Sequence, residues 1–139
     1  GIRENVESSG LGDVYKRQIE SINLMNKFSL FDEKWTPKII GELNNQYVKL
    51  CKLEGEFVWH SHENEDELFM VFKGKLLMDF RDGRTVEVNE GEILIVPKGV
   101  EHKPYTNGDV VFNLLFEPKT TKHTGDVNST LTVKKLDWI

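Results

Sequence analysis

The chain has one cysteine, Cys51, in 139 residues. No internal disulfide can form, and a reducing, cytoplasmic compartment is expected. Basic residues are in deficit: 18 Lys and Arg against 23 Asp and Glu give a net charge of −5 and a pI near 5.4. A nucleic-acid-binding surface carries the opposite field, so no nucleic-acid partner is expected. Long apolar runs are missing as well. The longest is Leu68–Phe72, far short of the roughly 20 residues a membrane helix needs, and no membrane partner is expected. The N-terminal stretch has no apolar signal-peptide region, and no internal repeat or low-complexity tract appears anywhere. What is present is ordinary for a folded domain. The 38% hydrophobic content and 11 glycines are enough to fill one core, and 16.1 kDa is about one domain.

Residues 1–18 mix charges with Ser8, Ser9, Gly10 and Gly12 and show no period. They are read as a disordered segment or one that came with the cloned DNA, Leu11 to Gln18 above all, and are left out of the fold. Residues 19–35 form a helical lead-in. Ile22, Met25, Phe28 and Phe31 recur every three positions, with Asn23 as the N-cap. After Pro37 the texture changes to short β-rich runs: Tyr47–Leu53, Leu68–Phe72, Leu76–Phe80, Thr85–Val88, Ile93–Val96 and Val110–Phe116. Asp82-Gly83 and Asn107-Gly108 are hairpin turn pairs. Strands this close, with no helices between them, predict an all-β antiparallel sandwich or barrel over residues 36–118. The tail, residues 119–139, ends in Trp138-Ile139 and is expected to pack on its own barrel or on a neighbour's.

Chemistry concentrates in two segments. In the first, His60 and His62 are two apart, so on an extended chain both rings point to one face. Glu67 then opens an apolar strand. The second runs from Gly91 through the Pro97-Lys98-Gly99 turn to His102. Each residue alone has a bland reading as a surface or satisfied core group. Together, three imidazoles and one carboxylate make a divalent transition-metal site of His60, His62, Glu67 and His102. The fourth histidine, His123, lies in the polar tail and is expected in solvent. Cys51 has no catalytic partner in the sequence and is read as packing. Lys49 interrupts an apolar strand. It is expected to point outward, although an inward Lys49 could bind an anionic substrate.

These two segments resemble the paired motifs of the cupin superfamily. The first motif is matched by His60, His62, Glu67 and Gly74, with Gly55 one residue closer to His60 than usual. The second is matched by Gly91, Pro97, Gly99 and His102. Its final Asn position holds Thr106, with Asn107 one place later. The resemblance implies a double-stranded β-helix, or jelly-roll barrel, of the small single-domain bacterial kind. Some members of that kind are labelled sugar-phosphate isomerase-like, and the label is a poor guide to chemistry.

A four-residue ligand set would saturate tetrahedral zinc, whereas octahedral Fe, Mn, Ni or Co keeps two adjacent positions for water, oxygen or a bidentate substrate. Zinc could still occupy the site by raw affinity. If Glu67 faces inward, Phe69 and Val71 do too. Met78, Phe80, Tyr105 and Phe112 are further pocket-lining candidates, each competing with an ordinary core role. Tyr105, with its hydroxyl in the turn after His102, is a catalytic candidate beside Glu67. The function expected is a small metalloenzyme acting on a polar small molecule, of isomerase or oxygenase type. The alternative is a non-catalytic sensor or metal-binding module, disfavoured because little beyond the short lead-in is available for a helix-turn-helix. Edge strands and an apolar tail point to a homodimer.

Overall fold

The computed structural model describes residues 19–125, 129, 131–132 and 135–139. The segment 1–18 set aside above lies outside the described residues. The helical lead-in is shorter than predicted: α1 spans Leu24–Phe28. Asn23 caps it, its side chain accepting the Asn26 N–H at 2.9 Å. The reason for the shortening is geometric. A three-residue spacing advances about 300° around a helix, so the apolar stripe drifts off any one face. Phe28 and Phe31 are buried, while Ile22, Met25 and Leu30 remain exposed.

Among the described residues nine strands follow in chain order: β1 (Lys38–Leu43), β2 (Gln46–Leu53), β3 (Glu67–Lys73), β4 (Leu76–Phe80), β5 (Thr85–Val88), β6 (Ile93–Val96), β7 (His102–Tyr105), β8 (Val111–Pro118) and β9 (Asp137–Trp138). They form a six-stranded sheet ordered β6-β3-β8-β2-β1-β9 and a three-stranded sheet ordered β5-β4-β7. β1 and β7 are additions to the strands read from sequence. β1 joins β2 through Asn44-Asn45, both at positive φ (48° and 64°), the backbone that a two-residue hairpin needs. β7 is short and contains Pro104, so it reads as a turn until β4 pairs with it.

The sheets face each other across a core that includes Leu53, Phe69, Val71, Leu76, Met78, Val88, Val96 and Val111. A second cluster lies on the other face of the large sheet, where Phe28 stacks on Phe112 at 4.7 Å and on Phe72 at 5.7 Å. The tail ends on this molecule's own sheet: β9 runs parallel to β1, and Trp138 meets Tyr47 edge-on at 5.7 Å.

Candidate metal centre

Backbone pairing brings the motif residues together. His60 and His102 form an isolated bridge, exchanging N–H···O bonds of 3.0 and 2.9 Å. Their side chains therefore leave on the same side. Gly99, at φ +81°, turns the chain so that its N–H reaches the His62 carbonyl at 2.8 Å. A left-handed residue is needed there, which explains the Pro97-Lys98-Gly99 turn. A Cβ on Gly125 would collide with the Ser61 carbonyl, so the tail also presses on the loop between the two histidines.

The result is a set of ligand atoms from His60, His62, Glu67 and His102, all within 4.8 Å of one another and all buried. Glu67 Oε1 lies 3.2 Å from His62 Nε2 and 3.4 Å from His102 Nε2. None of these three buried atoms is aligned for a hydrogen bond. His60 Nδ1–H donates to the Val58 carbonyl and His102 Nδ1–H to that of Val100, each at 2.9 Å. A carbonyl only accepts, so each ring carries its proton on Nδ1 and presents an Nε2 lone pair to the cluster. Buried polar atoms rarely go unpaired. Lone pairs converging on one point are what a divalent cation takes up, so the residues fit such an ion.

The electrostatics agree. Burial, and then the neighbouring His102 imidazole, push His60 down to about 4, outweighing the Val58 bond and the Glu67 charge. His60 is therefore neutral at pH 7, as a ligand must be. Burial alone would raise the Glu67 carboxyl. The closeness of Glu117, His102 and His62 holds it well below the usual carboxylate range. Glu117 is displaced in the opposite direction, by burial and by the Glu67 charge.

For His60 the unfolded chain binds a proton below pH 6.5 that the folded chain refuses until about pH 4. Stability of the metal-free protein should therefore fall as pH drops through that window. The His60 share is about 3 kcal/mol. Urea titrations of EDTA-treated protein at pH 7 and pH 4.5, with His60→Gln showing a flatter pH dependence, would check this.

Four residues sit differently from expectation. Tyr105 pairs with Leu77 on the face of β7 opposite His102, with the Lys103 ammonium near its ring. It is not positioned as a catalytic group. Phe112 also points away from the interior, under Phe28, because β8 turns Val111, Asn113, Leu115 and Glu117 inward. His123 is not in solvent. It is buried against Phe57 at 5.5 Å, and its Nε2–H donates to the Leu131 carbonyl at 2.5 Å. Lys49 points inward and is 1% exposed, its ammonium held by Glu117 at 2.8 Å. The anion site considered for an inward lysine is thereby occupied by the protein's own carboxyl.

Among the other candidates, Phe69 meets His102 edge-on at 6.2 Å. Phe80 lies opposite His102 across β4 and β7, and Val71 and Met78 are fully buried core. Cys51 packs as expected, its thiol pushed up to about 12 by burial. Sequence reasoning passed over Trp35, Phe57, Asn113 and Glu117. The only signal for the last two is their four-residue spacing on β8, which puts both on one face of the strand. It is ambiguous because both faces of that strand carry apolar residues.

Comparison with known proteins follows the same lines. Residues 48–117 match the family described as "Cupin domain". The chain belongs to the cupin family. This cupin is 42% identical to a cupin-2 domain containing protein from Shewanella frigidimarina whose crystal structure superposes with a TM-score of 0.69, covering 76% of this chain and 99% of that one. Protein NMB1881 from Neisseria meningitidis is 33% identical, with a TM-score of 0.65 over 72% of this chain and all of its own. "Uncharacterized protein YdbB" of Bacillus subtilis (strain 168) is 38% identical over 81 residues, 58% of this chain and 72% of that protein. No helix among the described residues is long and apolar enough to cross a membrane.

Proposed function

We propose that this cupin is a metalloenzyme that holds one divalent transition metal through His60, His62, Glu67 and His102 and acts on a small molecule bearing neighbouring oxygens. The observation that carries the reading is the trio of buried, unpaired ligand atoms on His62, Glu67 and His102. Four protein ligands suit Fe, Mn, Ni or Co better than a catalytic zinc, which keeps a position open by using only three. The bound ion would act as a Lewis acid on vicinal oxygens and leave room for either an isomerase or an oxygenase type of reaction.

The protein's own groups do the rest. Val58 and Val100 hold two imidazoles in the ligating tautomer. Glu67 supplies the negative charge that balances the cation and would be the proton acceptor for an isomerase reaction, although its low pKa makes it a weak base. Phe69 and the stacked pair Trp35–Phe57, at 4.6 Å, line the adjoining cavity with apolar surface. The lone, buried Cys51 fits a reducing, cytoplasmic setting. The exposed Ile93 and Ile95 on edge strand β6 fit a homodimer, for which light scattering would give about twice 16.1 kDa.

The test is elemental analysis of protein purified without added metal, followed by a screen of hydroxy-carbonyl compounds and sugar derivatives with that ion. About one equivalent of metal and turnover abolished by EDTA are expected. Metal-dependent ligand binding without turnover under any ion would assign the barrel to the sensor class.

A further inference from the structure

We propose that Asn113 selects the ligand of this centre, and that the ligand head it accepts is an uncharged hydroxyl next to a carbonyl or a second hydroxyl. The inference rests on the metal reading above and adds the class of molecule. Asn113 is fully buried in the middle of the large sheet, opposite Cys51 on β2 and Val71 on β3. Both its Oδ1 and its Nδ2 lack any hydrogen-bond partner. It lines the same cavity as His60 and Glu67, whose other walls are His123 and mainly apolar groups such as Trp35, Phe57 and Phe69. A buried amide with neither end satisfied is rare in native folds, and its presence beside a ligand set calls for a partner.

The chemistry of that partner follows from the amide. It offers a donor and an acceptor from one spot, and a hydroxyl is the small group that answers both. A carboxylate or phosphate only accepts, would leave Oδ1 unpaired, and would bring negative charge next to Glu67. No lysine or arginine lines the cavity among the described residues, and the buried Lys49 is already bound to Glu117. The cavity, open on one side, holds about 30 Å³, roughly the room of two waters. Only the oxygenated head of a ligand enters it.

The experiment uses Co(II)-loaded full-length protein and compares hydroxyacetone, butan-2-one and acetate, following the Co(II) visible absorption and calorimetric heats. The wild type should bind hydroxyacetone at least about 10-fold more tightly than either competitor. Asn113→Ala, which leaves room, and Asn113→Leu, which fills it, should take up Co(II) like the wild type and lose that preference. Either variant alone decides the question if the other does not fold. A preference that survives in a Co(II)-loaded variant overturns the proposal, as does a wild type that favours acetate or shows no preference. In those cases the metal reading stands. Failure of the wild type to take up any Co(II) overturns both.

Discussion

Replacing His62 by Ala, or Glu67 by Gln, should lower Co(II) or Mn(II) affinity at least about 100-fold, since even residues that only support metal ligands cost 10- to 100-fold. The two substitutions probe different contributions. His62→Ala removes a neutral nitrogen whose Nε2 stands 3.2 Å from Glu67 Oε1. Glu67→Gln keeps the volume and removes the only anion in the set, so the ion loses its charge compensation while the pocket keeps its shape. Folding reports the same event. A metal at 100 times its Kd adds about 2.7 kcal/mol to the stability of the wild type, a rise of roughly 10 °C in Tm for a domain of this size. Neither variant should show that rise at the same metal concentration. Paired calorimetric titrations and thermal melts would read both effects. Wild-type affinity in Glu67→Gln would remove Glu67 from the ligand set.

The second large effect belongs to the ion pair behind the site. Lys49 and Glu117 are 1% and 0% exposed and 2.8 Å apart. Glu117 in turn lies close enough to Glu67 that the two carboxyls are displaced in opposite directions. Lys49→Met would leave two carboxyl groups facing each other in the core with no cation between them and the sheet. Breaking a buried pair on one side costs about 3–5 kcal/mol, whereas removing both partners together is close to neutral. Lys49→Met should therefore lose that amount in urea unfolding, and Lys49→Met with Glu117→Gln should recover most of it. The pH dependence has a definite sign. The Glu117 carboxyl is pushed well above the usual range in the fold. Its share of stability is fully present below the unfolded value of 4.5 and is lost as pH rises through the higher folded value. The Lys49→Met defect should accordingly deepen toward alkaline pH, because lysine no longer offsets the ionised form. A single variant within 1 kcal/mol of wild type, or a double variant no better than the single, would show that the pair is not carrying this charge.

The register of the large sheet explains why these two effects are linked. Leu68 on β3 lies opposite Phe116 on β8, and the same register one residue on sets Glu67 opposite Glu117. Lys49 on β2 faces Leu115, one diagonal step from Glu117. A metal ligand, a second carboxyl and a lysine thus line up across three neighbouring strands, although they come from positions 67, 117 and 49 of the chain.

By itself the sequence determined the parts governed by short-range rules. The two-residue spacing of His60 and His62, the glycine turns and the β-rich runs are local, and each carries a definite backbone geometry. The sequence also bounded the chemistry, because three histidines and a glutamate at motif spacing have few uses besides metal binding. Only the tertiary structure decided which face of each strand turned inward where both faces are apolar. β8 sent Phe112 out under α1 and brought Asn113 and Glu117 in, and β7 turned Tyr105 away from the centre. It also enclosed His123 and Lys49, whose polar character marks them in isolation as surface residues, by giving each a partner from a distant segment. The physical reason is one of range. Spacing along the chain sets where a side chain can point, but burial and charge pairing depend on which strand arrives beside it, and that is settled only when the two sheets close on a common core.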